Sequence, residues 1–487
     1  MQGGGVDTRA AGELAAHVDG NKLEGGEAAT TDLVEEVEEG EAVFAAAKGD
    51  SDWAVDHIEI VKCFATSTFQ AAREPGRFLV LTHRSKMIKP WRSWLQPGRK
   101  ALLMTGKRIL LTGTRSATTL DMARHFHAAG HTVIGADTSP KTVSRYSKAV
   151  AEHVVVPSPR LDLDGFLAAI NKTIEEKKID CYIPTYEETI YVSQHRDKIS
   201  PDCQVFCGNF ESVHRLHNKY LFVERTKELG FEAPRTELVH SQAELETLDF
   251  GGPYVLKAAY SRSAIEIHLV KEGERPPAVK IEPHNPWIVQ QWLDGKKFCT
   301  YSICHEGRVC AHTTYPVQIG LDDSGCVVYQ AVDHPGIREW VEQFVKAEKL
   351  SGQVAFDFFE MEDGRLLTIE CNPRLTAGLH LFDVDGSLAE AFLSPTAKRI
   401  EPKVGTKRQL LLGMLMYGWK PSSSKQGLGS FFKHLLGSKD VIFSLRDLKP
   451  FFFQPFLMTQ YVRLARQHGL PIPAAFLYDL EWNGDKL

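Results

Sequence analysis

Four residues of this 487-residue sequence have types and spacing that could do chemistry together: Asp357, Glu370, Asn372 and Arg374. Ala355-Phe356-Asp357-Phe358-Phe359 runs into Glu362-Asp363-Gly364, a hairpin turn signal. The chain then returns as Leu366-Leu367-Thr368-Ile369-Glu370-Cys371-Asn372-Pro373-Arg374. Pairing across that turn can bring Asp357 and Glu370 to one sheet face, and strand alternation puts Asn372 on the same face. Carboxylates set in such apolar strands are costly unless something compensates them. A Mg²⁺ ion does so, because it takes hard oxygen ligands and shares them with nucleotide phosphates. Arg374 continues the series and could hold a transferring phosphoryl group. The competing reading is a structural ion pair of Asp357 and Glu370 with Arg374.

Other residues bear on that choice. Lys257 ends the apolar strand Tyr254-Val255-Leu256, and Lys219 opens a helix. Both could neutralise phosphates, although a lysine by itself is more often a surface residue. Between them and the hairpin, Ile288-Val289-Gln290-Gln291-Trp292-Leu293 turns at Gly295 and could present backbone groups to an adenine edge. Glu187 and Glu188 follow the strand ending at Pro184. They could orient a substrate or take a proton from an amine, or they could be favourable charges in the first turn of a helix.

The elements that must position these groups fall into two patterns. Residues 108–208 alternate strand and helix: strands at 108–112, 131–137, 154–156, 181–184 and 204–206, helices at 120–129, 164–177 and 187–197, and a small-residue turn at 113–119. This is an open parallel sheet of the doubly wound α/β type. Its first turn has only Gly113, which disfavours a dinucleotide site. Residues 209–395 read as α+β, with a helix from 217 to 229, a mainly antiparallel set of strands from 287 to 372 and one helix at 336–349.

Outside those regions the composition changes. Residues 1–57 are rich in Gly, Ala and acids and read as disordered. Residues 58–107 read as a linker with a strand-like run at 78–82 and locally basic, solvated stretches. Residues 396–487 form a C-terminal extension. Its segment 448–465 reads as a helix packed on the core, with docking to a partner or membrane surface as the alternative. A formal net charge of −5 argues against a nucleic-acid binder. Nine irregularly spaced cysteines without a CxxC pair fit reduced thiols. No apolar stretch reaches the ~18 residues that span a bilayer, and no signal peptide is evident, so the expected location is cytoplasmic.

Lys, Lys, hinge, Asp, then Glu-x-Asn-x-Arg is an order of parts that resembles the ATP-grasp superfamily over residues 108–395. The likeness is greatest to the branch near the large subunit of carbamoyl-phosphate synthase and biotin carboxylase. It implies an open parallel-sheet pre-ATP-grasp domain (108–208) followed by a two-lobed ATP-grasp domain (209–395). It further implies that Asp357, Glu370 and Asn372 bind Mg²⁺, with Mn²⁺ as a substitute. Arg374 would contact phosphate, Lys219 and Lys257 would bind the ATP phosphates, and Gln290, Gln291, Trp292 and Leu293 would form the adenine hinge. Two departures stand out. The phosphate flap reads Ala259-Tyr260-Ser261-Arg262-Ser263-Ala264 without glycine, so Arg262 would supply charge in place of backbone amides. Lys297 stands where the family has a ribose-binding Glu. Phe298–Ser302, Glu339–Val345 and Tyr478–Lys486 are also similar to the mycosporine-glycine ligases, which join an amino acid to a cyclohexenone after ATP activation. The expected function is an ATP- and Mg²⁺-dependent ligase that phosphorylates a small-molecule carboxylate or enolate and joins it to an amine, as a possible homodimer. A non-catalytic ATP-binding regulatory module is the alternative.

Overall fold

Arg108–Leu111 (β1) is the central strand of a five-stranded parallel sheet in the computed structural model, which describes residues 106–261, 267–317, 326–417 and 427–485. Every described residue lies in one compact unit within Arg99–Leu487. The acidic 1–57 segment, nearly all of 58–107 and Arg262 lie outside the described residues.

The sheet order is β3-β2-β1-β4-β5, with β2 at Thr132–Asp137, β3 at Val150–Val155, β4 at Cys181–Ile183 and β5 at Gln204–Val205. Helices α1 (Ala117–Ala128), α2 (Leu163–Lys177) and α3 (Glu188–Gln194) connect the strands. Both faces are buried, as a parallel sheet requires: Ile109 and Leu111 pack with Met122 and Phe126, while Leu110 and Tyr182 pack with Phe166 and Ile170. Two of the boundaries that differ from the sequence pattern have a local cause. α1 starts at Ala117 because the Ser116 side chain caps it, accepting from Thr118 N–H, so the small-residue turn is shorter than 113–119. β3 starts at Val150, since parallel pairing with β2 extends a strand whose outer residues are polar.

α4 (Phe210–His217) and α5 (Lys219–Glu228) meet at Asn218, which ends the first helix and caps the second by accepting from the Tyr220 and Leu221 amides. A four-stranded antiparallel sheet follows in the order β6-β9-β7-β8: β6 Thr236–Val239, β7 Tyr254–Ala258, β8 Ile267–Val270 and β9 Trp287–Gln291. α6 (Gln242–Thr247) packs Leu245 against Tyr254, Leu256, Trp287 and Val289 on one face.

The second antiparallel sheet has the order β11-β10-β13-β14, from β10 (Lys296–His305), β11 (Arg308–Pro316), β13 (Gly352–Glu360) and β14 (Leu366–Asn372). β12 (Val328–Gln330) and α7 (Pro335–Ala347) lie between β11 and β13. α7 lays Trp340 against Phe356 and Phe358, with ring centroids 5.3 and 4.9 Å apart. Each aromatic side chain so buried contributes about 1.5–3 kcal/mol, which fixes the register of β13 and hence its opposite face.

α8 (Ser387–Leu393) closes the preceding region, and the C-terminal segment comprises β15 (Lys407–Gln409), α9 (Leu411–Tyr417), α10 (Gly427–Gly437), β16 (Lys439–Asp440), α11 (Lys449–His468) and α12 (Ile472–Leu477). The helix expected at 448–465 is α11. It buries Leu457 beside Leu120 and Val143 of the parallel-sheet region. The chain then straps across that region. Arg115 bridges Asp137 at 2.6 Å and Asp479 at 2.7 Å. Trp482 is fully buried against Tyr260, His214 and His217.

Candidate nucleotide and metal site

β13 and β14 pair with Asp357 opposite Glu370 and Ala355 opposite Asn372. The turn closes through Gly364, whose φ of 84° suits glycine, with Met361 N–H donating to Arg365 O at 2.9 Å. Phe356, Phe358 and Cys371 occupy the buried face with α7. Alternation therefore sends Asp357, Glu370 and Asn372 to the other face, as the sequence pattern requires. Asn372 Nδ2 donates to Glu370 Oε1 at 3.3 Å, and Arg374 Nη2 donates to Asn372 Oδ1 at 3.0 Å. The structural alternative, an ion pair of Arg374 with Asp357 and Glu370, is not what forms. Arg374 Nε instead lies 3.4 Å from Glu187 Oε1.

Charge around the hairpin is mixed. Lys297 Nζ lies 4.0 Å from Asp357 Oδ2. Burial opposes the charge on Glu370, yet Lys219, Lys257 and Lys297, with the Asn372 hydrogen bond, hold its carboxyl well below the usual range. Burial and the adjacent Glu370 charge push the Asp357 carboxyl up, more than Lys297 can offset. Two like charges on neighbouring buried strands are the environment that a divalent cation relieves, so the donor set fits Mg²⁺. Among the described residues no group of three or more His, Cys, Asp and Glu side chains converges. The chain thus offers two carboxylates and one amide oxygen to such an ion, and the rest of its shell would have to come from elsewhere.

Lys257 is buried on β7, opposite Ile288 of β9, on the sheet face away from the Leu256–Val289 cluster. Burial lowers its ammonium pKa to about 8, with Lys219 and Lys297 adding to the shift against Glu370. Lys219, at the first position of α5, donates through Nζ to Ser261 O. Gln290 shares the Lys257 face, since it pairs with Val255, and its amide donates to Thr236 Oγ1 at 3.1 Å. Along the expected hinge, Gln291 N–H donates to Arg235 O at 2.8 Å and Trp292 N–H to Pro253 O at 3.1 Å. No hydrogen bond reaches the Leu293 amide among the described residues.

Glu187 and Glu188 part company. Glu188 Oε1 accepts from Thr112 Oγ1 at 2.6 Å, Thr185 N–H at 3.0 Å and Tyr186 N–H at 3.1 Å. Burial pushes its carboxyl up against those bonds. It ties the ends of β1 and β4 together. The approach is close enough that a Cβ on Gly113, whose φ is +67°, would come 2.7 Å from Thr185 Oγ1. Glu187 is equally buried but reaches the other way, to Arg374 and to His217 Nε2 at 3.7 Å.

The structure therefore gathers Asp357, Glu370, Asn372, Arg374 and Glu187, with Lys219 and Lys257 close enough to act on Glu370. It keeps Glu188 apart, and Arg262 lies outside the described residues. His217 was missed: it sits at a helix end with no sequence signal of its own. The approach of Lys297 to Asp357 was also missed, although its place after the hinge had marked it as a departure.

Residues 216–378 match the family model of the ATP-grasp domain. No curated protein matches the chain. Among solved structures, the L-amino acid ligase from Bacillus licheniformis is similar at 16% identity, over 60% of this chain and 75% of that one, with a TM-score of 0.48. N5-carboxyaminoimidazole ribonucleotide synthetase from Thermotoga maritima is similar at 16% identity, over 62% and 79%, with a TM-score of 0.46. The biotin carboxylase domain of the Hydrogenobacter thermophilus 2-oxoglutarate carboxylase, in complex with MgADP, ADP and bicarbonate, is similar at 14% identity, over 61% and 72%, with a TM-score of 0.48. The segment that matches the ATP-grasp domain model, about a third of the chain, contains every residue of the hairpin site together with Lys219 and Lys257.

Proposed function

We propose that this ATP-dependent ligase activates a small-molecule carboxylate or enolate by phosphorylation and joins it to an amine such as an amino acid. The observation that carries the reading is the single face shared by Asp357, Glu370 and Asn372, continued by Arg374 to Glu187. Residues 108–208 serve as the pre-ATP-grasp domain that brings Glu187 to the reacting atoms, residues 209–395 as the grasp, and residues 396–487 as an extension. Lys219 and Lys257 offset the phosphate charge, and the Gln290–Leu293 stretch receives the adenine, with the Leu293 amide as its free donor. Asp357, Glu370 and Asn372 would hold Mg²⁺, which would supply positive charge to offset that of the phosphates. Arg374 holds the phosphoryl group in line with the acceptor oxygen. Glu187 orients Arg374 and stands within reach of an incoming amine, where it takes a proton as the C–N bond forms. Glu188 is a positioning residue for that loop.

One observation favours the non-catalytic alternative. Lys297 beside Asp357 places a fixed positive charge next to a metal ligand. Phosphate release separates the two readings. A ligase releases phosphate from ATP only when a suitable acid and amine are both present. ATP binding without release under any acid and amine pairing supports the regulatory module.

A further inference from the structure

The aromatic run Phe451-Phe452-Phe453 lies at the start of α11 just after Lys449, while Arg463 and Arg466 lie at the far end of that helix. Folding supplies other bases. The turn at Ser144–Tyr146 packs beneath α11, with Tyr146 stacked on Phe453 at 4.1 Å, and Lys141 Nζ sits 4.6 Å from the centre of the Phe456 ring. Ring contacts join Phe443 to Phe451 at 5.2 Å and Phe451 to Phe452 at 5.6 Å. The result is an outward apolar face, on which Phe452 is 68% and Phe456 46% exposed. Large exposed apolar patches mark interaction surfaces.

Bases predominate on the rim of this face, with Asp440, which accepts from the Phe443 N–H at 2.7 Å, as a partly buried exception. Lys141, Arg145, Lys148, Arg446 and Lys449 are all exposed. The one acid in stretches 139–149 and 441–456 is Asp447, which is buried and bound to Arg124 at 3.1 Å and to Ser147 Oγ at 2.6 Å. In a chain of net charge −5 this local excess of bases runs against the whole.

We propose that this face docks on membranes that contain anionic phospholipid. Aromatic side chains would lie at the headgroup–acyl boundary, and the five bases would meet the lipid phosphates. A second copy of the chain fits less well, because a two-fold contact would set the same basic rim against itself without an exposed acid to answer it. No helix among the described residues is long and apolar enough to cross a membrane, so the attachment is interfacial. None of these residues belongs to the nucleotide site, and the inference stands apart from the ligase reading.

The test is sedimentation of the full chain with vesicles of phosphatidylcholine alone and of phosphatidylcholine mixed with phosphatidylserine. The chain should pellet with the mixed vesicles and stay in solution with the neutral ones, and added salt should weaken the binding. Phe452→Asp should lower affinity about tenfold or more, as should Lys141→Glu combined with Lys449→Glu. Unchanged ATP binding in both variants checks that they fold. Absence of binding to the mixed vesicles, or equal binding to both kinds, overturns the proposal. So does a dimer in solution that Phe452→Asp dissociates while vesicle binding is absent.

Discussion

Arg374 Nε stands 3.4 Å from Glu187 Oε1, across the seam between the parallel-sheet region and the antiparallel hairpin. Both side chains are largely withdrawn from water, so the contact fixes the guanidinium where the Asn372 amide also receives it. If that guanidinium stabilises a transferring phosphoryl group, Arg374→Ala should lower kcat about 10²-fold or more and leave the ATP Kd within a few-fold. Steady-state phosphate release beside ATP titration measures both. A loss confined to ATP affinity would place Arg374 on bound nucleotide and not on the transfer.

Glu188 should behave as a structural residue. Glu188→Ala leaves the buried Thr185 and Tyr186 amides without their acceptor, at about 1–3 kcal/mol each. Thermal melting should show the loss, while kcat per folded molecule stays within a few-fold. Glu187→Gln should do the reverse, melting near wild type and turning over more slowly. Swapped outcomes would exchange the two roles.

Lys257 gives the nucleotide site a pH dependence. Its folded pKa of about 8 is below the ordinary lysine value. The free protein therefore loses this charge above pH 8, and ATP phosphates, by favouring the ammonium, should draw a proton in on binding. ATP affinity should fall as pH rises through 8, with proton uptake visible as buffer-dependent heat in calorimetry. Lys257→Met should bind weakly at every pH and lose the dependence. The stability consequence has the opposite sign: the unfolded chain holds the proton up to pH ~10.4, so the nucleotide-free fold gains stability between pH 8 and that value.

Trp482 is fully buried at the end of the strap and touches Tyr260, with ring centroids 5.1 Å apart. Trp482→Ala should cost about 3–5 kcal/mol of stability, read by denaturant titration. Because Tyr260 immediately precedes the Ser261 carbonyl that receives Lys219, the KM for ATP should also rise. A loss under about 1 kcal/mol would mean that the strap is not docked as described.

The β-α-β alternation was legible because strands buried on both faces write short apolar runs directly into the sequence, between longer helical segments. The hairpin site was legible for the same reason: Asp357 and Glu370 interrupt apolar runs at positions that one turn must set face to face. What could not be read was tertiary. Glu187 and Glu188 are adjacent and chemically identical, and only the packing of α4 and the hairpin sends one to Arg374 and the other to Thr112. Likewise, Lys141 and Phe456 are separated by most of the chain, and no local pattern reports that they meet.

The metal assignment is tested most directly by binding Mn²⁺, as a spectroscopic substitute for Mg²⁺, in the presence of a non-hydrolysable ATP analogue. Electron paramagnetic resonance counts the bound ion in wild type, Asp357→Asn and Glu370→Gln. Each variant should remain folded and lose Mn²⁺ affinity by more than the ~10–100-fold that a supporting residue costs. Wild-type Mn²⁺ affinity in both variants would contradict the assignment, because the ion would then be held by groups other than the β13–β14 hairpin.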